Sequence, residues 1–379
     1  MRSTALIAAL GCAGVLAGCI GDIGDRGDAP GTSAGPSGGH QDPGKDPEKA
    51  ADARLPLRRL TPFEIDRALF DLLGDDTHAA MALRPDNVKA PFETDPKEQL
   101  VTRQKLEQME GIFFDAAVRA TEDLGARLGC EPTGPGDACL AEYLKGFGRR
   151  AFRRALTEAE VQRYLDLATS LDAPLGRNLA VARTLQAMLL APDFLYLTAF
   201  GEPAAGGADA LLLPHELAGR LSFLIWSSVP DEALLDASEN GALTGDGQRL
   251  EQVERMLDDP RASGAAARFV ANWLDILDLG SSPKIDAAWN AQLLRSVQNE
   301  SLQSASAWFE GGEPFAALLT SDTTFLDGPL AAFYGVAGVE GDAVVEVSGM
   351  AERGRAGVLG QAGFLAAHAT QGASSPTLR

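Results

Sequence analysis

From Leu57 onward, apolar residues recur at helical spacing with start and stop signals around them, and this pattern leaves little room for a sheet-based fold. Thr61-Pro62-Phe63-Glu64 is a capping box with Pro at the first helical position. Behind it Ile65, Leu69, Leu72 and Leu73 keep a three-four spacing until Gly74. A second capping box, Thr157 to Glu160, opens a helix with Val161, Tyr164, Leu165, Ala168 and Leu171 on one face. Arg183 to Phe200 is rich in Leu, Ala and Met, and Pro192 is expected to kink or divide it. Pro214 to Trp226 predicts another helix, with Leu217, Leu221, Phe223 and Leu224 facing inward. Periodic runs continue over Gln252–Leu257, Ala265–Leu277 and Ala287–Phe309, the last stopped by Gly311-Gly312. Pro329 to Tyr334 reads as one or two turns, and Ala356 to Ala367 as helix despite three glycines. Only Val344 to Val347 reads as a strand. The expected fold is mostly α: a bundle-like globular body of many helices, at most a small β hairpin near 340–350, and a disordered tether in front.

The N-terminus has a different character. One charge, Arg2, precedes an apolar run from Ala5 to Leu16, which closes on Leu16-Ala17-Gly18-Cys19. Such a run is too short to span a bilayer and suits a signal-peptide core. Its ending resembles the lipobox of bacterial lipoproteins, which implies cleavage before Cys19 and attachment of lipid, palmitate included, to that residue. Several acyl chains at ~0.8 kcal/mol per buried methylene would hold the protein firmly on a membrane. The expected location is therefore the bacterial cell envelope, facing the periplasm or exterior. Residues 20 to about 54 are dominated by Gly, Pro, Asp and Ser and read as a tether with a reach of roughly 30–35 Å. Three motif-like strings in this stretch lack the context their chemistry needs. Gly31 to Gly35 fits a nucleophile elbow without strand or helix around it, Gly39 to Asp46 lacks the hydroxyl of a phosphate loop, and Arg26-Gly27-Asp28 is expected by chance.

Lys and Arg number 33 against 53 Asp and Glu, a net charge of −20. That balance argues against nucleic acid as a partner, since phosphate would want a basic face. Loss of residues 1–18 leaves 32 basic and 53 acidic residues and the cysteines Cys19, Cys130 and Cys139. Outside the cytoplasm, Cys130 and Cys139 are expected to form a disulfide across a segment of turn formers, worth roughly 2–3 kcal/mol on the chain-entropy model. A redox-active pair would favour a two-residue spacing. The organisation that follows is a signal peptide (1–18), a lipidated Cys and tether (19–54), an N-terminal helical domain with the disulfide loop (55–200), a central helical domain (201–335), and the start of a truncated C-terminal segment (336–379).

Several ordered strings carry a family resemblance. They include Arg58-Arg59-Leu60-Thr61-Pro62-Phe63-Glu64 with Asp71-Leu72-Leu73-Gly74, and Phe147-Gly148-Arg149-Arg150-Ala151-Phe152-Arg153-Arg154. Leu217 to Glu232, through Ser222-Phe223-Leu224-Ile225-Trp226-Ser227-Ser228-Val229-Pro230-Asp231, is the most distinctive. Met256 to Arg261, Phe269 to Leu274, Leu319 to Phe325 and Phe333 to Val336 follow in order. Together, over about 57–379, they resemble an exported bacterial family built from serial domains of unknown function and associated with planctomycete-type cytochrome c domains. The resemblance implies export and an association with haem proteins, but it carries no catalytic residue. A Cys-x-x-Cys-His string is absent, so no covalently bound haem is expected, and no other cofactor is indicated. Family members continue past the motif at Ser374 to Arg379 into a further domain, so this chain is expected to be truncated there.

His40, His78, His215 and His368 are scattered, with no pair at the spacing of a helical zinc site, and no metal is expected. Arg149, Arg150, Arg153 and Arg154 form the dense basic cluster of an acidic chain. If helical, they make a stripe that could bind an anion through bidentate forks. The alternative is pairing with acids such as Glu158, Glu160 or Asp166, or capping a helix C-terminus. Trp226, Trp273, Trp289 and Trp308 lie in apolar helical runs and are expected in the core. Asp231-Glu232 and Asp258-Asp259, beside Pro230 and Pro260, read as helix-capping residues rather than a glycosidase pair. Two functions stay open: a membrane-anchored accessory lipoprotein docking an exported, cytochrome-type redox partner, and an extracytoplasmic hydrolase acting on polysaccharide or another polymer.

Overall fold

Thr61 accepts a hydrogen bond from the Glu64 N–H (3.2 Å) while the Glu64 carboxylate accepts from the Thr61 N–H (2.8 Å), so the first helix is nucleated at both ends of its first turn. The computed structural model describes residues 57–84, 92–96, 99, 101–130, 134, 136–203, 210–279, 284 and 289–369. The expected signal peptide, Cys19, the expected tether and the motif at 374–379 lie outside those residues.

In chain order, β1 (Arg58–Arg59) leads into α1 (Pro62–Leu73), α2 (Arg103–Ala120), α3 (Leu124–Leu128) and α4 (Ala138–Ala151). Next come α5 (Glu158–Leu175), α6 (Arg177–Leu189), α7 (Pro192–Leu195), β2 (Tyr196–Leu197), β3 (Glu202–Pro203) and β4 (Ala210–Leu211). The second half runs α8 (Pro214–Ile225), α9 (Glu232–Glu239), α10 (Asp246–Leu257), α11 (Arg261–Trp273), α12 (Ala291–Gly311) and α13 (Phe315–Thr320). It finishes with β5 (Thr324–Leu326), α14 (Gly328–Tyr334), β6 (Val345–Val347), α15 (Gly357–Gly360) and α16 (Ala362–Ala367). The fold is mostly α, as the periodicity requires. Gly74 and Gly312 end α1 and α12 in the left-handed conformation. Pro192 divides its run, with α6 stopping at Leu189 and the Pro opening α7.

The expected strand forms at Val345–Val347, but it pairs antiparallel with Thr324–Leu326 across α14 rather than with an adjacent strand. The return is closed by a Gly328 N–H to Gly341 carbonyl bond of 2.8 Å. A Cβ on Gly328 would fall 2.8 Å from the Gly341 backbone, so the close approach needs glycine there. Two further two-residue ladders pair β1 with β2 and β3 with β4.

The described residues bury three apolar cores. The first joins α1, α2 and α4 to α7 through Ile65, Leu69, Phe113, Leu144, Leu185 and Phe194, and also takes Phe223 and Val229 from and beyond α8. The second joins α11 to α16 through Val270, Val297, Leu326, Leu330, Val358 and Ala362. A smaller third core gathers α8, α9 and α10 around Trp226, Leu234 and Met256. Each fully buried Leu or Phe contributes about 1.5–3 kcal/mol. The described part of 336–379 thus shares a core with α11 and α12. One inward face differs from expectation: Phe223 is buried, Leu217 and Leu221 are half-buried, and Leu224 is 65% exposed. The reason is that α8 buries its small residues, Ala218, Gly219 and Ser222, with Ala218 in the third core. A Cβ on Gly219 would lie only 3.0 Å from the Arg153 Cδ, so this face is cut to admit an arginine.

Candidate functional site

The cluster at 149–154 does not form one cationic stripe. The helix α4 ends at Ala151 and Arg153 takes a left-handed φ of 60°, which sends the four side chains in different directions. Arg149 reaches across to α9, where Glu232, Asp236 and Glu239 sit one turn apart and all bind its guanidinium. Led by the Glu239 hydrogen bond, these carboxylates hold the Arg149 pKa above its ordinary value. Arg150 donates to the Asp71 carbonyl at 3.0 Å, at the end of α1. Arg154 is gripped by Glu160 (2.8 and 3.0 Å) and Asp193 (2.7 Å). The Arg154 bond pulls Glu160 down to about 2. Of the acids expected to pair with the cluster, Glu160 alone does so; the partners Glu232, Asp236, Glu239 and Asp193 were not foreseen, being 39 to 90 residues away.

Arg153 is the buried member. It donates to the carbonyls of Ala151 (3.0 Å), Phe194 (3.2 Å), Tyr196 (2.9 Å) and Asp193, and lies over the Phe223 ring. Burial pushes its pKa down to about 10, so it remains a cation at neutral pH, solvated by four peptide dipoles in place of water. Beside it lies a cavity of about 170 Å³ whose polar lining comprises Arg153, Arg154, Asp193, Thr198, His215 and Glu216. Glu216 accepts from the Phe200, Gly201 and Leu213 N–H groups. Burial, aided by the Arg154 and Arg153 charges, pushes His215 below the usual imidazole value.

A second polar cluster joins strings far apart in sequence. Asp71 Oδ2 accepts from Ser228 Oγ (2.7 Å) and Arg261 (3.3 Å), and Arg261 chelates Asp259 (2.9 Å twice). Arg255 chelates Asp231 (2.7 and 3.1 Å), whose Oδ1 also caps α9 by accepting from the Leu234 N–H. Both guanidiniums lie over Trp226, at 5.6 Å for Arg255 and 3.6 Å for Arg261, and the indole N–H donates to the Met256 carbonyl. Asp231 is thus the helix cap the sequence implied. Asp259 accepts from the Arg261 N–H at the start of α11, while Asp258 instead closes α10. These are internal ion pairs that weld α1, α8 and α10 to α11.

The third cluster went unseen in the sequence. Glu300 is buried in the second core and accepts from Thr324 Oγ1 (2.7 Å) and Tyr334 Oη (2.6 Å). Tyr334 Oη in turn accepts from the Ala362 N–H, and Gln361 bridges Ser301, Ser304 and Thr324. Burial raises Glu300 to about 7. A signal existed: Leu293, Ser296, Val297, Glu300, Ser301 and Ala305 keep helical spacing, which sets the acid on the apolar face of α12.

Cys130 and Cys139 are bonded, with Cα atoms 6.1 Å apart. His78 pairs with Asp66 (2.8 Å), and His368 packs on Phe364. Among the described residues no three His, Cys, Asp or Glu side chains converge where a metal could sit. Of the tryptophans, Trp226 is fully buried and Trp289 and Trp308 are half-buried, but Trp273 is 43% exposed, because it sits at the last turn of α11 on the face away from the second core. Its ring lies 5.8 Å from Phe315, also 43% exposed, and Phe315 lies 6.2 Å from Trp308. One turn back on α11, Phe269 is 50% exposed and stacks on Phe92.

Residues 139–198 match the family model described as PSD5, protein of unknown function (DUF1595), and residues 212–336 match PSD4, protein of unknown function (DUF1592). The chain therefore carries two segments similar to serial domains of unknown function, and Arg149 and Arg153 cross from the first to the second. No curated protein and no solved structure matches the chain.

Proposed function

We propose that this protein is an extracytoplasmic lipoprotein, anchored through lipid on Cys19, that serves as a docking module for an exported redox or cytochrome-type partner. The observation that carries the docking role is the row of exposed rings at Phe269, Trp273 and Phe315, on a body whose clustered arginines are already bound by its own carboxylates and carbonyls. Exposed aromatics cost solvation when nothing covers them, and they concentrate at sites where another protein does. The Cys130–Cys139 disulfide supports an oxidising compartment. No helix among the described residues is long and apolar enough to cross a membrane.

The test has two arms. Fractionation of cells expressing Cys19→Ser is expected to move the protein from the membrane to the soluble fraction; retention in membranes defeats the anchor. Gentle detergent extraction of the native protein is expected to bring down a stoichiometric exported partner, with a haem Soret band in the eluate. A colourless monomer defeats the docking role.

A further inference from the structure

The aromatic row has a rim as well as a centre. Asp275 follows Trp273 by two residues and is exposed; Glu310 and Glu313, both exposed, flank the turn between Trp308 and Phe315. Arg268, the neighbour of Phe269, is tied to Glu93 and lies over the Phe63 ring, so its charge is turned into the body. The Trp308 indole N–H donates to the Pro314 carbonyl at 3.2 Å, which fixes the turn that presents Phe315. The rings are thus held by rigid helices, α11 and α12, and by a pinned turn, which is the preorganisation that makes an aromatic anchor effective. The exposed charged residues next to these rings in the sequence, Asp275, Glu310 and Glu313, are acidic, in keeping with a chain of net charge −20.

We infer that Trp273, Phe315 and Phe269 form the centre, and Asp275, Glu310 and Glu313 the rim, of a docking face for a basic protein that presents an apolar patch ringed by Lys and Arg. This inference rests on the docking role proposed above and assigns it a place and a partner chemistry. An apolar centre inside a charged rim divides the labour of binding. The desolvated rings set the lifetime of the complex, and the acids steer the encounter and reject partners of like charge. A second copy of this chain would bring the same acids against themselves, so the charge pattern selects against self-association. The same repulsion disfavours an anionic lipid surface.

The experiment uses the full lipidated chain and two variants of it. Trp273→Ala with Phe315→Ala removes the centre, and Glu310→Lys with Glu313→Lys inverts the rim. All these residues are exposed or half-exposed, and unchanged circular dichroism melting serves as the control for folding. Phe315→p-benzoylphenylalanine is irradiated in the host's soluble envelope extract, with Leu224→p-benzoylphenylalanine as a control on an exposed residue of α8. The expected result is a salt-sensitive cross-link from position 315, and none from 224, to a protein of basic isoelectric point. With that protein purified, the centre variant should weaken Kd by roughly 10–100-fold. The rim variant should slow association by roughly tenfold and flatten its salt dependence. Equal affinity for wild type and both variants overturns this face while leaving the docking role standing. A cross-link to a second copy of the chain, or to an acidic protein, also overturns it. If the wild-type protein captures no partner at all, the docking role itself falls, and this face with it.

Discussion

Arg153 and Glu300 are two answers to one problem, an ionisable side chain in the interior. In the first core the cation keeps its charge: four carbonyls aim their negative ends at one guanidinium, and burial brings its pKa only down to about 10. In the second core the acid is met by two hydroxyls, Thr324 and Tyr334, and burial lifts it to about 7. The charges that face Glu300 are few, Arg355 over the Tyr334 ring at 4.0 Å being one. The comparison teaches that burial alone does not neutralise a group. What decides is whether the surrounding dipoles are numerous and all of one sign. The first half of the molecule is therefore expected to be indifferent to pH near neutrality, and the second half sensitive to it.

The strongest way to break this comparison is Arg153→Met. Four carbonyls lose their donor at the end of α4 and around α7, and urea unfolding should show a loss of about 3–5 kcal/mol. A loss below about 1 kcal/mol would mean that the carbonyls find other donors and that the cation is dispensable. Arg153→Lys should recover only part of the loss, since one ammonium cannot span four acceptors.

Next in size is Glu300→Gln, read as a pH profile. The folded-state pKa of about 7 lies above the ordinary value of 4.5, so the native state holds the proton more tightly than the unfolded chain. The stability this confers is complete below pH 4.5 and is lost as pH rises through 7. Wild type should therefore weaken between pH 5 and 8 by up to about 3 kcal/mol from this residue. The Gln variant should show a flatter profile, and an unchanged slope would place the proton elsewhere.

Cys130→Ser with Cys139→Ser should cost about 2–3 kcal/mol, with no change in the slope against pH, because the loop belongs to the first half. Calorimetry at two pH values separates the two. The smallest effect is expected from Arg149→Gln. Its three carboxylate partners are well exposed, and such surface pairs contribute at most about 1 kcal/mol. That contribution should fade in high salt, and a larger, salt-insensitive loss would make the bridge to α9 part of the core.

Much of this architecture was legible in the chain itself. Thr61 with Glu64 and Thr157 with Glu160 each form both reciprocal bonds of a capping box, since that interaction lies within one turn and needs no tertiary context. Gly74, Gly312 and the division at Pro192 follow from backbone sterics alone. What escaped depended on neighbours distant in sequence. The helix α2 escapes notice because its buried face mixes Lys105 and two alanines, Ala116 and Ala117, with Met109 and Phe113, a weak stripe. The direction of Arg153 hangs on a positive φ and on the space above Gly219, neither of which a helical wheel contains. Trp273 looked like core because its sequence neighbours are apolar, whereas the packing of α11 on α12 turned it outward.

The ladder between β1 and β2 sets a timetable. Arg58 pairs with Leu197 and Arg59 with Tyr196, so the first strand of the folded body waits for residues almost 140 positions later. The Leu60 N–H likewise finds its acceptor at the Leu195 carbonyl. Closing so long a loop is entropically slow compared with winding the helices inside it. The helices between can form as they emerge, but the backbone ladder ahead of α1 has no second strand until the last of them is made. The site of membrane attachment proposed at Cys19 is thus joined to a stretch of chain that docks late, and the body can assemble before its leash is fastened to it.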